Sequence, residues 1–161
     1  PIIVVAAPEQ ALPTLPAEVL VVRDAIAGEG PLRGLETGLS ALVDRAEIAF
    51  VCGCDMPEIS PSVIGELLKR GQNYLKNSSD PFSAVVIDDA GHWQPLHALY
   101  RLESLRAALA AGERSPQRWL RTLQPLVVPA EELRAVDSEL RSWKNLNTPA
   151  EYAAIEAIEN K

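Results

Sequence analysis

The amino-acid sequence predicts an α/β fold in which a parallel sheet is covered by helices, and three observations carry that expectation. Short, nearly all-apolar runs recur without polar alternation, the clearest being Ile48-Ala49-Phe50-Val51-Cys52-Gly53-Cys54. Runs of this kind fit strands buried on both faces. Between them lie stretches whose apolar residues return at helical spacing, such as positions 32, 35, 39, 42, 43 and 46. Several runs also close on an acidic residue or a proline, which marks strand ends where the ligand crevice of an open α/β sheet lies.

Composition sets the outer bounds. A chain of 161 residues suits one domain, 1–161, large enough to bury roughly 70% of its unfolded surface. The 47% hydrophobic and 23% charged residues are ordinary for a soluble globular protein. A formal charge of −7 without a Lys/Arg cluster argues against a nucleic-acid surface. No apolar run approaches a membrane span and no signal peptide is evident, so a cytoplasmic protein without membrane partners is expected. Cys52 and Cys54 are too few and too close for a four-ligand zinc site, and a buried, reduced pair is expected.

Taken in order, the chain opens on Pro1 and enters a strand at once, Ile2-Ile3-Val4-Val5-Ala6-Ala7. A second strand, Val19-Leu20-Val21-Val22-Arg23, closes on Asp24. The Pro-rich residues 8–18 leave little room for a crossover helix, so the start is expected to be the middle of a larger fold. A Gly-rich stretch, Ala27-Gly28-Glu29-Gly30-Pro31-Leu32-Arg33-Gly34, then opens a helix reaching about Ala46, with Pro31 in its first turn. The strand from Ile48 should stop at about Asp55, because Pro57 cannot continue the ladder. Ser60-Pro61 starts the next helix, with Val63, Ile64, Leu67 and Leu68 on its apolar face. A strand at 83–87, a hairpin-like turn at Asp88-Asp89-Ala90-Gly91 and the run from His92 to Tyr100 follow. Helices from Leu102 to about Ala111 and from Ser115-Pro116, a strand at 126–128 closed by Pro129, and a capping box of Thr148 and Glu151 complete the reading.

The chemistry concentrates at few points. Asp55 sits where a magnesium ligand for a phosphate-bearing substrate would be wanted, although an Asp there can equally cap a turn. The Gly-rich stretch offers N–H groups to an anion, yet it is neither Walker A nor G-x-G-x-x-G, and a loop closing tightly over the sheet is the better explanation of it taken alone. Asn145 and Asn147 precede the last helix, where they either satisfy loop backbone or bind a polar ligand. His92 and His97 lack metal-motif spacing.

Asp24, Gly30-Pro31-Leu32-Arg33-Gly34, Cys52-Gly53-Cys54-Asp55-Met56-Pro57, Gln94-Pro95-Leu96 and Asn145-Leu146-Asn147-Thr148-Pro149 stand in one order from residue 24 to residue 149. In that order they resemble the molybdenum cofactor guanylyltransferases of the MobA type. The resemblance implies a Rossmann-like nucleotidyltransferase fold, mostly parallel in its central sheet with helices on both faces. It implies a Mg²⁺-dependent transfer of GMP from GTP to molybdopterin, giving molybdopterin guanine dinucleotide and pyrophosphate. Molybdoenzymes or their chaperones would then receive the product. By position, Asp55 resembles the catalytic magnesium ligand at the nucleotide, and Asp24 the acidic residue that helps hold the guanosine end. Gly30, Pro31, Leu32, Gly34, Gln94, Asn145 and Asn147 look like parts of the pterin-side pocket.

The family's opening strand and Gly-rich loop, Leu-Ala-Gly-Gly…Arg-Met-Gly…Lys, has no match in residues 1–161, and Val5 stands where some relatives carry Asn. A further N-terminal strand is therefore expected between Ile2–Ala6 and 48–54. Arg23 and Arg33 are the nearest cations to substitute for those of the loop. Two alternatives accompany the guanylyltransferase: a related cytidylyl- or sugar-nucleotide transferase, and a non-catalytic pterin-binding or adaptor protein.

Overall fold

Residues 1–25, 30–77, 84–110, 115–148 and 150–153 are described by the structure, a computed structural model. The elements run β1 (Ile2–Ala6), β2 (Val19–Arg23), α1 (Pro31–Ala41), β3 (Ile48–Cys52), α2 (Pro61–Asn77), β4 (Ala84–Asp89), β5 (His92–Arg101), α3 (Leu102–Ala110), α4 (Pro116–Thr122) and β6 (Leu126–Pro129), followed by a 3-10 turn, Ala130–Leu133. Packing divides the chain into two compact units: Pro1–Ala49 with Tyr100–Gln124, and Phe50–Leu99 with Pro125–Lys161.

In the first unit β1 and β2 form a parallel pair in register Ile2↔Val19 to Ala6↔Arg23. Parallel neighbours require a crossover, usually helical. Here residues 7–18 make it without a helix, and Arg23 supplies the order that a helix would have supplied. One guanidinium nitrogen, Nη1, donates to the carbonyls of Ala7, Pro8 and Gln10 at 2.8, 3.1 and 3.0 Å. Helix α1 packs on both strands and on α3. Gly38 allows that approach: a Cβ there would lie 3.1 Å from Val5 Cγ2. Leu32, Leu39, Leu102, Leu105 and Leu120 are buried in this unit.

Helix α1 ends at Ala41 rather than near Ala46. Leu42 closes it with an N–H bond to the Leu39 carbonyl, and Asp44 adopts φ 59°, a left-handed conformation that no α-helix continues through. Val43, expected on the apolar face, is 48% exposed.

The remaining strands form a four-stranded sheet in the order β3-β5-β4-β6. Strands β4 and β6 are parallel, with Val85 opposite Leu126. β5 is antiparallel to β4, joined to it by the two-residue turn Ala90-Gly91, both at positive φ (52° and 84°) as a tight hairpin requires. It is antiparallel to β3 as well, because Gly53 N–H bonds Leu96 C=O and Leu102 N–H bonds Glu47 C=O. The sheet is therefore mixed, which corrects the expectation of a mostly parallel one; the α/β class holds. β3 is also shorter and less enclosed than expected. It stops at Cys52 and is half-buried, because it lies at the edge of its sheet. The second unit's core is Val63 and Leu67 of α2, Val85, Val86 and Ile87 of β4, Ala98 and Leu99 of β5, and Leu133. The expected helix start at Pro116 is confirmed, with Ser115 as its N-cap.

Gly30 caps α1 at φ 82°, ψ 177°, a region open essentially to glycine, while a Cβ there would meet nothing within 4 Å. A Cβ on Gly34 would make only ordinary contacts, 3.7 Å to Val5 and 3.8 Å to Asp24. Gly30→Ala is thus expected to lower stability by about 1–3 kcal/mol through backbone strain alone. Gly34→Ala should be neutral or stabilising by up to about 1 kcal/mol through helix propensity. Urea unfolding of the two variants checks the contrast.

Candidate active site

Asp55 lies just beyond β3, and its placement follows from its neighbours. The Gly53 N–H bond to Leu96 C=O, 2.9 Å, carries the sheet one residue past the strand, after which the chain turns. The Asp55 carboxylate folds back so that Oδ1 occupies the space a Cβ on residue 53 would need, and a side chain there would turn the carboxylate aside. Met56, 6% exposed, anchors the turn in the core.

The tail meets this turn from the other side. Leu146 N–H donates to Asp55 C=O at 2.8 Å. Upstream, Asp137 Oδ2 accepts from the Ser142 amide (2.9 Å) and hydroxyl (2.8 Å), and the same Ser142 Oγ accepts from Ser60 N–H at 3.1 Å. Although partial burial of Asp137 works against it, these bonds hold its carboxyl below the usual carboxylate range. Arg141 reaches Glu58 at 3.1 Å. Downstream the expected capping box is present: Glu151 Oε2 accepts from the amides of Asn147 (2.8 Å) and Thr148 (2.9 Å), and Thr148 Oγ1 accepts from Glu151 N–H (3.3 Å). These bonds, the Asn147 amide's first, lower the pKa of Glu151.

Between turn and tail lies a cavity of about 270 Å³ lined by Cys54, Asp55, Pro57, Leu146, Asn147, Thr148 and Tyr152. Asp55 and Asn147 are thereby brought together. The side-chain amide of Asn147 makes no hydrogen bond among the described residues, which leaves it free for a ligand. Asn145 is exposed and does not line the cavity. Gln94, half-buried on β5, reaches only the His92 carbonyl at 3.5 Å and is likewise outside it.

In the first unit, Asp24 follows β2 and donates its amide to Ala6 C=O at 2.9 Å. Its Oδ1 is buried and has no donor among the described residues. Gly34 of α1 lies against the same carboxylate. A second cavity, about 240 Å³, is lined by Ala25, Arg33, Glu36, Thr37 and Ser40. Gly30 and Pro31 form the start of α1, whereas Leu32, 3% exposed, belongs to the core and can offer a ligand only its backbone. Gly28 falls outside the described residues. Arg23 is committed to the crossover loop, and Arg33 pairs with Glu36 at 2.7 Å.

Cys52 and Cys54 are both free and both exposed, which corrects the expected buried pair: the edge position of β3 and the turn after it leave them uncovered. Although the residue is exposed, partial burial of its sulfur, and then the neighbouring Cys54, raise the pKa of Cys52.

The donor set decides what metal could be held. No group of three or more His, Cys, Asp or Glu side chains that could hold a metal ion occurs among the described residues. A resident all-protein cage is therefore not formed there, but Mg²⁺ commonly takes one or two carboxylates together with substrate phosphates. Asp55, a single carboxylate facing a cavity, fits that shared mode.

Strand-end carboxylates beside concave openings, on an α/β scaffold, are the arrangement of enzymes that handle nucleotides and their metals. Residues 1–127 match the family model of the MobA-like NTP transferase domain, and the chain belongs to that family. It is 33% identical over 159 residues to a probable molybdenum cofactor guanylyltransferase of Mycobacterium avium (strain 104), covering 96% of this chain and 73% of that protein. It is 34% identical over 154 residues to the one of Mycobacterium tuberculosis (strain ATCC 25618 / H37Rv), covering 93% and 69%. Among solved structures it is similar to molybdopterin-guanine dinucleotide biosynthesis protein A from Archaeoglobus fulgidus, with a TM-score of 0.67, 28% identity and coverage of 89% and 69%. A putative protein from Aquifex aeolicus VF5, TM-score 0.55 and 21% identical over 81% of this chain and 63% of that one, shares the fold. The resemblance seen in the five motifs is thus borne out, and the chain is a nucleotidyltransferase by family. No helix among the described residues is long and apolar enough to cross a membrane.

Sequence reasoning weighed His97 only as a metal ligand and missed its burial. It is fully buried on β5, edge-on to Phe50 at 4.9 Å and 6.2 Å from Trp143, and neither ring nitrogen has a partner among the described residues. Only its apolar context, Leu96 and Ala98-Leu99, hinted at this. Burial pushes its pKa down from 6.5 to about 4, against an opposing pull from Asp137. Below pH 6.5 the unfolded chain takes up a proton that the folded chain refuses, so stability should fall as the pH drops from 6.5 to about 4 and level off beneath it. The loss is up to about 3 kcal/mol. Asp137 acts in a separate window, its contribution fading as the pH falls below 3.8. Urea unfolding between pH 7 and pH 4 should show the slope, and His97→Leu should flatten it.

Proposed function

We propose that this chain, acting as a single nucleotidyltransferase domain, transfers GMP from GTP to molybdopterin, yielding molybdopterin guanine dinucleotide and pyrophosphate. The observation that carries this reading is the buried Asp24 Oδ1, which has no donor among the described residues, in a chain whose relatives are named probable molybdenum cofactor guanylyltransferases. A carboxylate is acceptor-only, and an unpaired buried one is costly. Guanosine answers it with N–H and hydroxyl donors. Asp24 thus holds the guanosine end.

Asp55 serves at the phosphates. When bound, Mg²⁺ on Asp55 supplies neutralisation of phosphate charge and alignment of the reactants. The chain's own work there is positioning: Gly53 lets the carboxylate lie in place, and the Leu146–Asp55 bond fixes the turn. The pterin phosphate oxygen bonds to the α-phosphorus as the α–β phosphoanhydride bond breaks, so no protein nucleophile is needed. Asn147, whose side-chain amide is unpaired among the described residues, contacts the pterin from the Asp55 cavity; Asn145 and Gln94, outside that cavity, carry no part of this reading. The product would pass to molybdoenzymes or their chaperones in the cytoplasm.

Asp55→Asn keeps shape and removes charge. It should lower Mg²⁺-dependent transfer by orders of magnitude while leaving the melting temperature near wild type; product analysis with GTP and with CTP, molybdopterin as acceptor, should give the guanine dinucleotide only. Near-normal turnover in the variant would remove Asp55 from the role, and equal use of CTP would favour the cytidylyl alternative.

Asn147→Ala should weaken molybdopterin binding and leave GTP binding intact, as read by titration calorimetry. A fall in stability of about 1 kcal/mol with both affinities unchanged would make the residue structural.

A further inference from the structure

We infer that Cys52 and Cys54 form a reversible thiol–disulfide site whose oxidation withdraws Asp55 from its cavity. The two thiols are exposed, free, and separated only by Gly53. Across two peptide units their Cα atoms are at most about 7 Å apart, and a disulfide spans about 4.4–6.8 Å. A modest contraction suffices, and the residue between them has no side chain to obstruct it.

Cys54 borders the Asp55 cavity, while Cys52 ends β3 and is held by its sheet. The Cys54 side must therefore move. Peroxide is the oxidant considered. The Cys54 sulfur attacks one peroxide oxygen, the O–O bond breaks, and the departing oxygen leaves as water, giving a sulfenic acid on Cys54. The Cys52 sulfur then attacks the Cys54 sulfur, the S–O bond breaks, and a second water leaves. Two thiols lose two electrons in total, and hydrogen peroxide becomes two waters. A dithiol reductant reverses the product by exchange.

The consequence for Asp55 is steric. Its Oδ1 rests over Gly53, in the space a Cβ would occupy, and its carbonyl holds Leu146 N–H at 2.8 Å. Drawing Cys54 toward Cys52 folds the Gly53 link and dislodges both. This thiol chemistry holds whether or not Asp55 binds a metal, so its test does not depend on transferase activity.

The full chain, treated with stoichiometric hydrogen peroxide, should lose the mass of two hydrogen atoms within the Cys52–Cys54 peptide and both alkylatable thiols. Dithiothreitol should restore them. Hydrogen exchange at the Leu146 amide should become at least tenfold faster in the oxidised form. Cys52→Ser should stop at a dimedone-trapped sulfenic acid on Cys54, with Leu146 exchange unchanged. Thiols that remain alkylatable, or that pair only between molecules, would overturn the site; an internal disulfide with unchanged Leu146 exchange would overturn its link to Asp55.

Discussion

The hydrogen bond from the Leu146 amide to the Asp55 carbonyl joins the two chain segments that make the larger cavity. One of them is the turn at the end of an edge strand. The other is a tail with no regular structure between the 3-10 turn and the last helix. Its backbone is bonded in successive turns, Asp137 N–H to Leu133 C=O, Leu140 N–H to Asp137 C=O and Lys144 N–H to Arg141 C=O, and its remaining buried polar groups find partners elsewhere. They find them in sequence: Asp137 gathers Ser142, Ser142 takes the Ser60 amide, Trp143 buries beside His97, and Leu146 reaches Asp55. Each bond is modest by itself. Their common effect is that Asn147 arrives beside a carboxylate far from it in the chain.

The same turn explains why glycine stands at position 53. Two demands meet there, a ladder bond to Leu96 and a carboxylate folded over the Cα. A side chain would keep the first and push the carboxylate to another position. The exposure of the flanking cysteines accompanies the same geometry, a strand end at a sheet edge followed by a turn. In the first unit the analogous organiser is Arg23, whose guanidinium replaces the missing crossover helix by collecting three loop carbonyls. Beside it, Asp24 keeps a buried carboxylate oxygen without a donor among the described residues.

What the sequence by itself determined is what depends on a few neighbouring residues. The Ser115-Pro116 start, the Ala90-Gly91 hairpin, the Thr148/Glu151 capping box and the placing of Asp24 and Asp55 at strand ends are all local arrangements, written in caps, turn residues and prolines. The order of the five motifs, each short and local, carried the family. Tertiary structure alone decided which strands are neighbours and which way they run. β5 inserts between β3 and β4 and reverses both pairings, and nothing in its apolar pattern distinguishes that from a parallel placement. Likewise only packing separated Asn147, in the cavity, from Asn145 outside it. Packing alone also closed His97 away from water and left the cysteines open to it. Local bonding is encoded within a turn or two of chain, whereas burial and strand partnership are set by segments that meet only when the chain has folded.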